Sequence, residues 1–261
     1  EDFPRSPTQY KNIYCVRIRH EDMKDYHKAL ADFMKGLKPG RLLDAGSGSG
    51  ELASALQESN FDVLSLDLYA KGKGGRGFVV ADLDQPLPFV GKNFDYIVCS
   101  EVIQYIENHA ALFREFKRVL KEGGSVILST PNTLRAGSRF YFLRRGYFPH
   151  FKPVRTIDPS KPWDSLTYNP ASMVDLLGIM GKTGFELACV KASRLKRSGL
   201  AVYLLLKTAY VMGLLFEKRG EKAALSRLLS SKDLLLGDHL IIQARLFPSP
   251  PVGEGRVGGL V

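Results

Sequence analysis

Apolar side chains first recur at helical spacing between residues 23 and 37, where Met23, Tyr26, Ala29, Leu30, Phe33, Met34 and Leu37 share a face. Pro39-Gly40 stops the run. The texture then changes to short apolar runs. RLLDAGSGSG (41–50) reads as a strand passing into a glycine-rich turn, with a helix, ELASALQES, starting at Glu51. FDVLSLDL (61–68), FVVADL (78–83), FDYIVCS (94–100) and SVILSTPN (125–132) read as four further strands. Between the last two, HAALFREFKRVLKEGG puts Ala111, Leu112, Phe113, Phe116, Val119 and Leu120 on one broad helical face, ended by Gly123-Gly124. Asn169-Pro170 then caps a helix ASMVDLLGIMGKTGF, and ELACVKASR and DHLIIQARLF (238–247) bring the strands to seven. Strands alternating with helices need crossover connections, so the pattern predicts an α/β fold: a doubly wound, mainly parallel seven-stranded sheet covered on both faces.

Two stretches interrupt that alternation. Residues 133–168, rich in Arg, Phe and Tyr, are too long for an ordinary connection and read as a cap insertion after strand five. Residues 195–236 form an apolar helical insertion between strands six and seven, centred on GLAVYLLLKTAYVMGLLF (199–216) with Lys207 as its one charge. Eighteen helical residues reach about 27 Å, the lower limit for a bilayer core of roughly 30 Å. A single span would, however, put the last strand on the wrong side of the membrane from its own sheet. Three roles remain: a helix half sunk in the lipid interface, a cover over a hydrophobic substrate tunnel, or a buried or dimerising helix. Arg194, Lys196 and Arg197 before it and Lys218, Arg219 and Lys222 after it suit peripheral membrane contact, with Lys207 able to snorkel. The remaining chain forms one domain, 1–247, with its core at 23–132 and 169–247. Residues 1–20 read as an irregular arm and the Pro- and Gly-rich stretch 248–261 as a disordered tail.

Composition narrows the classes. In 261 residues, 44% hydrophobic and 25% charged side chains exclude a disordered, collagenous or coiled-coil chain. Cys15, Cys99 and Cys189 are odd in number and far apart, which offers neither a disulfide framework nor a metal cluster and points to a reducing compartment. A cytoplasmic protein, at most peripheral on the inner face of a membrane, is expected. No charged-then-apolar signal peptide opens this sequence, and with Glu1 where a Met would stand the true start is expected to lie upstream. The net charge of +10 is unevenly spread: basic against acidic residues number 17 to 18 over 1–130, 12 to 4 over 131–198 and 8 to 5 over 199–261. A neutral first half thus carries a basic second half suited to an anionic contact.

The chemistry gathers at the strand ends. Asp44, Gly46, Gly48 and Gly50 follow the first strand as D-x-G-x-G-x-G, letting the backbone turn sharply and approach a ligand above a helix N-terminus. Alone, such a turn fits a dinucleotide, an adenosyl group or nothing. Asp67 ends the second strand, 17 residues past Gly50, where a carboxylate can accept both ribose hydroxyls, and Asp82 with Leu83 ends the third, where they can flank an adenine. Taken in order, LLDAGSGSGELA, LSLDLY, VVADLDQPLPF, FDYIVCSEVIQYI and FKRVLKEGGSVILSTPN resemble the motifs of class I S-adenosylmethionine-dependent methyltransferases over about residues 41–132. The resemblance implies S-adenosylmethionine as cofactor. Its methionine part would lie against Asp44, Ala45, Gly46, Ser47 and Gly48, its ribose against Asp67 and Leu68, and its adenine against Asp82 and Leu83. Ser100 and Glu101 would face the methionine end and the acceptor. Many relatives continue E-V-[LI]-E-H after strand four; here Gln104 and Tyr105 replace the last two residues, so no histidine role carries over.

Methyl transfer is an in-line displacement that needs alignment and, for some acceptors, removal of a proton. Glu101, Tyr105, His150, Asp164 and Tyr168 are the candidate proton acceptors, His150 foremost because an imidazole titrates near 6.5. The Thr-Pro-Asn turn at 130–132 and S-R-F-x-F-L-x-x-G-Y-F-P (138–149) are similar to methyltransferases among cell-envelope and surface-polysaccharide proteins. That similarity implies a glycan, lipid-linked or other small hydrophobic acceptor, methylated on oxygen or nitrogen near a membrane, with Arg139, Arg144, Arg145 and Tyr168 as its contacts. DLDQPLPF and S-T-P-N are also similar to the methionine-biosynthesis W-type proteins, which bind cofactor and act as partners of an acyltransferase. A nucleic-acid methyltransferase is the third reading. The sequence has no N/D-P-P-Y/F phrase after strand four and no appended RNA-binding module, so no nucleic-acid partner is expected.

Overall fold

The computed structural model describes residues 23–69, 77–152, 169–196, 200–216 and 220–247. The expected arm and tail, and the second half of the cap with Asp164 and Tyr168, lie outside the described residues. The strands are β1 (Arg41–Ala45), β2 (Asp62–Asp67), β3 (Phe78–Val80), β4 (Phe94–Ser100), β5 (Leu120–Pro131), β6 (Phe185–Ala192) and β7 (His239–Leu246). The α-helices are α1 (Asp25–Lys35), α2 (Glu51–Glu58), α3 (His109–Val119), α4 (Ala136–Arg145), α5 (Met173–Thr183), α6 (Leu200–Phe216), α7 (Glu221–Leu229) and α8 (Lys232–Leu236). One sheet joins all seven strands in the order β3-β2-β1-β4-β5-β7-β6. Only β7 runs antiparallel, between β5 and β6.

The apolar runs become strands because each must supply two cores. Leu42, Val98, Ile127 and Ile241 point to one face, where Leu30 and Met34 of α1 and Leu52 and Leu56 of α2 cover them. Their sequence neighbours Leu43, Ile97, Val126 and Ile242 point to the other, under Phe113 and Phe116 of α3 and Leu176 and Met180 of α5. Side chains alternate across a strand, so a continuous apolar run is what a sheet covered on both faces requires.

Three expectations need correction. Ser172, not Asn169-Pro170, caps α5: its hydroxyl accepts from the Asp175 N–H while Asp175 reaches back to the Ser172 N–H, a reciprocal capping box. Asn169 instead ties the chain to the turn after β4, donating to the Ile106 carbonyl at 2.8 Å. Helix α3 ends at Val119 rather than at the glycines, and Leu120 already pairs with Phe94, so β5 begins five residues early. Gly123 (φ +73°) and Gly124 lie in that extended stretch, where a Cβ on Gly124 would stand 3.0 Å from the Asp95 carbonyl.

The two insertions pack on each other. The cap opens with α4, ended by Gly146 at φ +77°, and α4 lies along α6. Arg139 of α4 donates to the Leu134 carbonyl at 2.7 Å and to the Tyr210 hydroxyl of α6 at 2.9 Å, with its guanidinium over the Tyr210 ring. Helix α8 drives Leu234 into the main core. Asn132, the last residue of the Thr-Pro-Asn turn, donates to the Leu234 and Gly237 carbonyls and fastens α8 to the end of β5. No helix among the described residues is long and apolar enough to cross a membrane.

Candidate functional site

The carboxyl ends of β1, β2 and β4 open on one rim, as expected of a parallel sheet whose strand order reverses beside β1. Beyond β1 the chain turns through Gly46 (φ +86°), Gly48 (φ +55°) and Gly50 (φ +80°). Gly46 and Ser47 donate their N–H groups to the Leu66 carbonyl at 2.7 and 3.0 Å, which hooks the turn over β2. A Cβ on Gly46 would run into the Val102 side chain, whereas one on Gly48 would meet open space. The turn is therefore packed below and free above. Asp67 holds it from the side, one carboxylate oxygen accepting from the Gly48 N–H (2.8 Å) and the other from the Tyr69 N–H (2.9 Å).

Two buried polar atoms at this turn, Asp44 Oδ2 and Ser47 Oγ, have no protein partner. Buried polar groups are nearly always bonded, so an unpartnered pair beneath an open glycine turn is a cradle for a polar ligand. Burial, reinforced by the charge of Asp67, pushes the Asp44 carboxyl up to about 7. Further along the rim, Asp82 Oδ1 accepts from the Asp84 N–H at 3.0 Å. Leu83 is buried in the main core and Leu68 is exposed.

At the mouth of β4 the backbone passes through a left-handed residue, Glu101 (φ +57°). Such strain is uncommon for a non-glycine residue and turns the Glu101 side chain back under the rim. Ser129 of β5 donates its hydroxyl to Glu101 Oε1 at 2.9 Å. Ser100 Oγ lies 2.9 Å from Ser129 Oγ. Since the Ser129 proton goes to Glu101, Ser100 donates to Ser129, and the relay runs from Ser100 through Ser129 to the carboxylate. Burial pushes the Glu101 carboxyl up to about 7, opposed by the Ser129 bond and the charge of Lys24. His239 Nε2, at the start of β7, is 3.5 Å from Glu101 Oε2. Burial lowers the His239 imidazole to about 4, so at neutral pH this is a contact between a neutral ring and a carboxyl rather than an ion pair. The beginning of α1 covers the group: the Tyr26 ring lies 5.0 Å from that of His239, and the Lys24 ammonium stands 5.6 Å from the Tyr26 ring centroid.

Glu101 is thus drawn into a polar cluster with the exposed Lys24, the half-buried Tyr26 and His239 and the buried Ser129; the sequence reading placed Tyr26 on an apolar helix face and did not single out the other three. A lone polar pair, Asp238-His239, ahead of an apolar strand was the available signal. His150 comes close, its ring 6.3 Å from that of His239, in an exposed left-handed residue (φ +73°) of the cap. A small cavity of about 10 Å³, lined by Asn132, Thr133, Ser138, His150 and Asp238 among others, separates cap and strand ends there. Tyr105 is half-buried in the 3₁₀ turn Ile103–Tyr105. Arg139 is committed to the α4–α6 contact, while Arg144 and Arg145 are exposed. Among the described residues no group of three or more His, Cys, Asp or Glu is placed to hold a metal ion.

Known proteins resemble this chain in sequence and in fold. The chain matches the methyltransferase-domain family over residues 16–189. The bifunctional biotin-biosynthesis protein BioHC of Cellvibrio japonicus is 36% identical over 104 residues, 36% of this chain and 20% of that protein. A ubiquinone biosynthesis O-methyltransferase of Rickettsia canadensis is 25% identical over 166 residues, 56% of this chain and 70% of its own. Among solved structures, an S-adenosylmethionine-dependent methyltransferase from Mesorhizobium loti superposes with a TM-score of 0.54 at 20% identity, covering 86% of this chain and 99% of that one. The chain spans about a fifth of the BioHC protein's length, so the resemblance reaches one domain of it.

The chain therefore belongs to the methyltransferase-domain family. Its fold is that of the class I S-adenosylmethionine-dependent methyltransferases.

Proposed function

We propose that the protein methylates an oxygen or nitrogen of a small acceptor, a glycan or lipid-linked molecule met near a membrane, with Glu101 taking the acceptor's proton. The observation that carries this is the strained Glu101 at the mouth of β4, its side chain 14% exposed, with a carboxyl pushed up to about 7 and its oxygens held by Ser129 and His239. A base poised near the working pH takes a proton and releases it again at comparable cost. The oxygen acceptor has support from the Rickettsia canadensis relative, named an O-methyltransferase.

The residues fit the cofactor. Asp44 Oδ2 and Ser47 Oγ, buried without protein partners, would take the polar methionine end, with Ala45, Gly46 and Gly48 supplying close backbone. Asp67 and Leu68 would hold the ribose, and Asp82 and Leu83 the adenine. Bound there, S-adenosylmethionine supplies an electrophilic methyl group. Ser100 would serve indirectly, through Ser129, by holding the Glu101 carboxylate in place. Tyr105 and His150 would be further acceptor contacts, the His150 ring lying 6.3 Å from that of His239. Arg144 and Arg145, with Tyr168, would meet an anionic part of the acceptor.

The test is incubation with methyl-labelled S-adenosylmethionine and a cell extract divided into glycan, lipid, small-molecule and RNA fractions. Label in the glycan or lipid fraction is expected. Label in RNA alone would overturn the acceptor class, and cofactor binding with no labelled fraction would favour the acyltransferase-partner reading.

A further inference from the structure

Helix α6 has an outer face that nothing among the described residues covers. Its exposed positions are 200, 201, 204, 205, 208, 209, 211 and 212, which is the spacing of one continuous helical stripe. They are Leu200, Ala201, Leu204, Leu205, Thr208, Ala209, Val211 and Met212, with Leu205 70% exposed and Met212 56% exposed. The single polar group, the Thr208 hydroxyl, is turned back onto the Leu204 carbonyl at 2.9 Å. Lys207 does not snorkel outward as the sequence suggested. It points inward and donates to the Ser230 carbonyl at 2.8 Å, capping the end of α7. From Leu200 to Met212, at about 1.5 Å a residue, the apolar strip runs about 18 Å. Helix α4, packed along α6, adds Leu143 (81% exposed) and Phe140, followed by the exposed cations Arg144 and Arg145.

Monomeric proteins seldom present contiguous apolar patches beyond a few hundred Å² unless something binds there. We infer that this face of α6, with the end of α4, docks on the surface of an anionic lipid bilayer, α6 lying in the plane of the interface. Charge selects that occupant. Neither α4 nor α6 contains an Asp or Glu, and the only outward charges of the two helices are cations. A second copy apposed on this face would bring arginines towards arginines with no acid on either helix to answer them. An anionic headgroup layer answers both the cations and the apolar strip at once. The strip also carries no free polar group that could fix register against a protein partner, a requirement a fluid lipid surface does not impose. The docking surface goes beyond the acceptor reading: it says where the enzyme sits, whatever it methylates.

The experiment is co-sedimentation of the whole protein with phosphatidylglycerol vesicles and with phosphatidylcholine vesicles, for wild type, Leu204→Glu/Leu205→Glu and Arg144→Ala/Arg145→Ala, without turnover. Wild type should pellet with the anionic vesicles and at least tenfold less with the neutral ones. The leucine double variant should lose at least tenfold in binding while unfolding at an unchanged temperature, since both side chains already face solvent. The arginine variant should bind both vesicle types alike. Absence of wild-type binding, binding indifferent to Leu204→Glu/Leu205→Glu, or a concentration-dependent dimer that this variant dissolves would each overturn the inference. S-adenosylmethionine affinity, read separately by calorimetry, tests the cofactor site and stays informative whichever way the vesicles answer.

Discussion

The glycine turn after β1 and the acidic cluster at the mouth of β4 stand on the same rim, yet they are built in opposite ways. The turn is local. Its form follows from three left-handed glycines within five residues, and its hydrogen-bonded ties to the rest of the sheet go to Leu66 and Asp67 at the end of the next strand. The cluster draws Lys24, Glu101, Ser129 and His239 from four elements spread over more than two hundred residues. The path of the turn follows from backbone conformation, whereas shifting a carboxyl towards neutrality, that of Asp44 beneath the turn as much as that of Glu101, takes burial, and burial takes tertiary packing.

Glu101→Gln breaks the cluster side most sharply. It should lower kcat roughly 10²–10⁴-fold, the range for loss of a positioned proton acceptor. Wild-type kcat should rise with pH through about 7, where Glu101 ionises, and the variant should lack that limb. A rate measured from pH 5 to 9 checks both, and an unchanged wild-type-like profile would remove Glu101 from the chemistry. On the turn side, Asp67→Ala deletes the acceptor for two backbone N–H groups and, in the proposed site, for the ribose, and should weaken S-adenosylmethionine binding about 100-fold, equivalent to about 3 kcal/mol. Calorimetric titration reads this, and kcat at saturating cofactor should move far less.

Stability against pH sharpens the same contrast. The folded-state value of Asp44 is raised, so its carboxyl holds a proton more tightly in the folded than in the unfolded chain. Its contribution is therefore fully present below the unfolded value near 3.8 and is lost as pH rises through about 7. Asp44→Asn should gain stability relative to wild type as pH rises from about 5 to about 8, measured by urea unfolding; a constant difference would mean the group does not titrate in that window. The smallest effect is expected at Arg139→Ala, which loses the Leu134 and Tyr210 bonds between α4 and α6. A cost of about 1 kcal/mol, or roughly 2–4 °C in Tm, follows for such partly exposed hydrogen bonds. Its S-adenosylmethionine affinity should not change.

Much of the fold was legible because strand and helix periods are local properties: the seven strands and the positions of Asp44 and Asp67 at strand ends follow from the run of apolar residues, while the third strand, expected to reach Asp82 and Leu83, ends at Val80 and leaves both in the turn beyond it. The helix α4 inside the cap was not, since RFYFLRR carries no clean apolar stripe and is held by Tyr210 and the end of β5. The Thr-Pro-Asn turn was noticed, but the task of Asn132, fastening α8 about a hundred residues later, has no local signature. Nor could the direction of Lys207 be read from its neighbours in sequence. A lone cation in an apolar helix satisfies the same pattern whether it reaches out to headgroups or in to a carbonyl, and only the packing of α7 against α6 chose the Ser230 carbonyl.

By itself, then, the sequence determined the sheet, the glycine turn and the class of cofactor, because backbone conformation and side-chain period act over a few residues. Tertiary structure alone decided which acid is buried beside a neutral histidine, which arginine is spent inside the molecule, and which face of α6 is left to solvent. Those choices depend on desolvation and on partners distant in the chain, and neither is fixed until the sheet has brought its ends together.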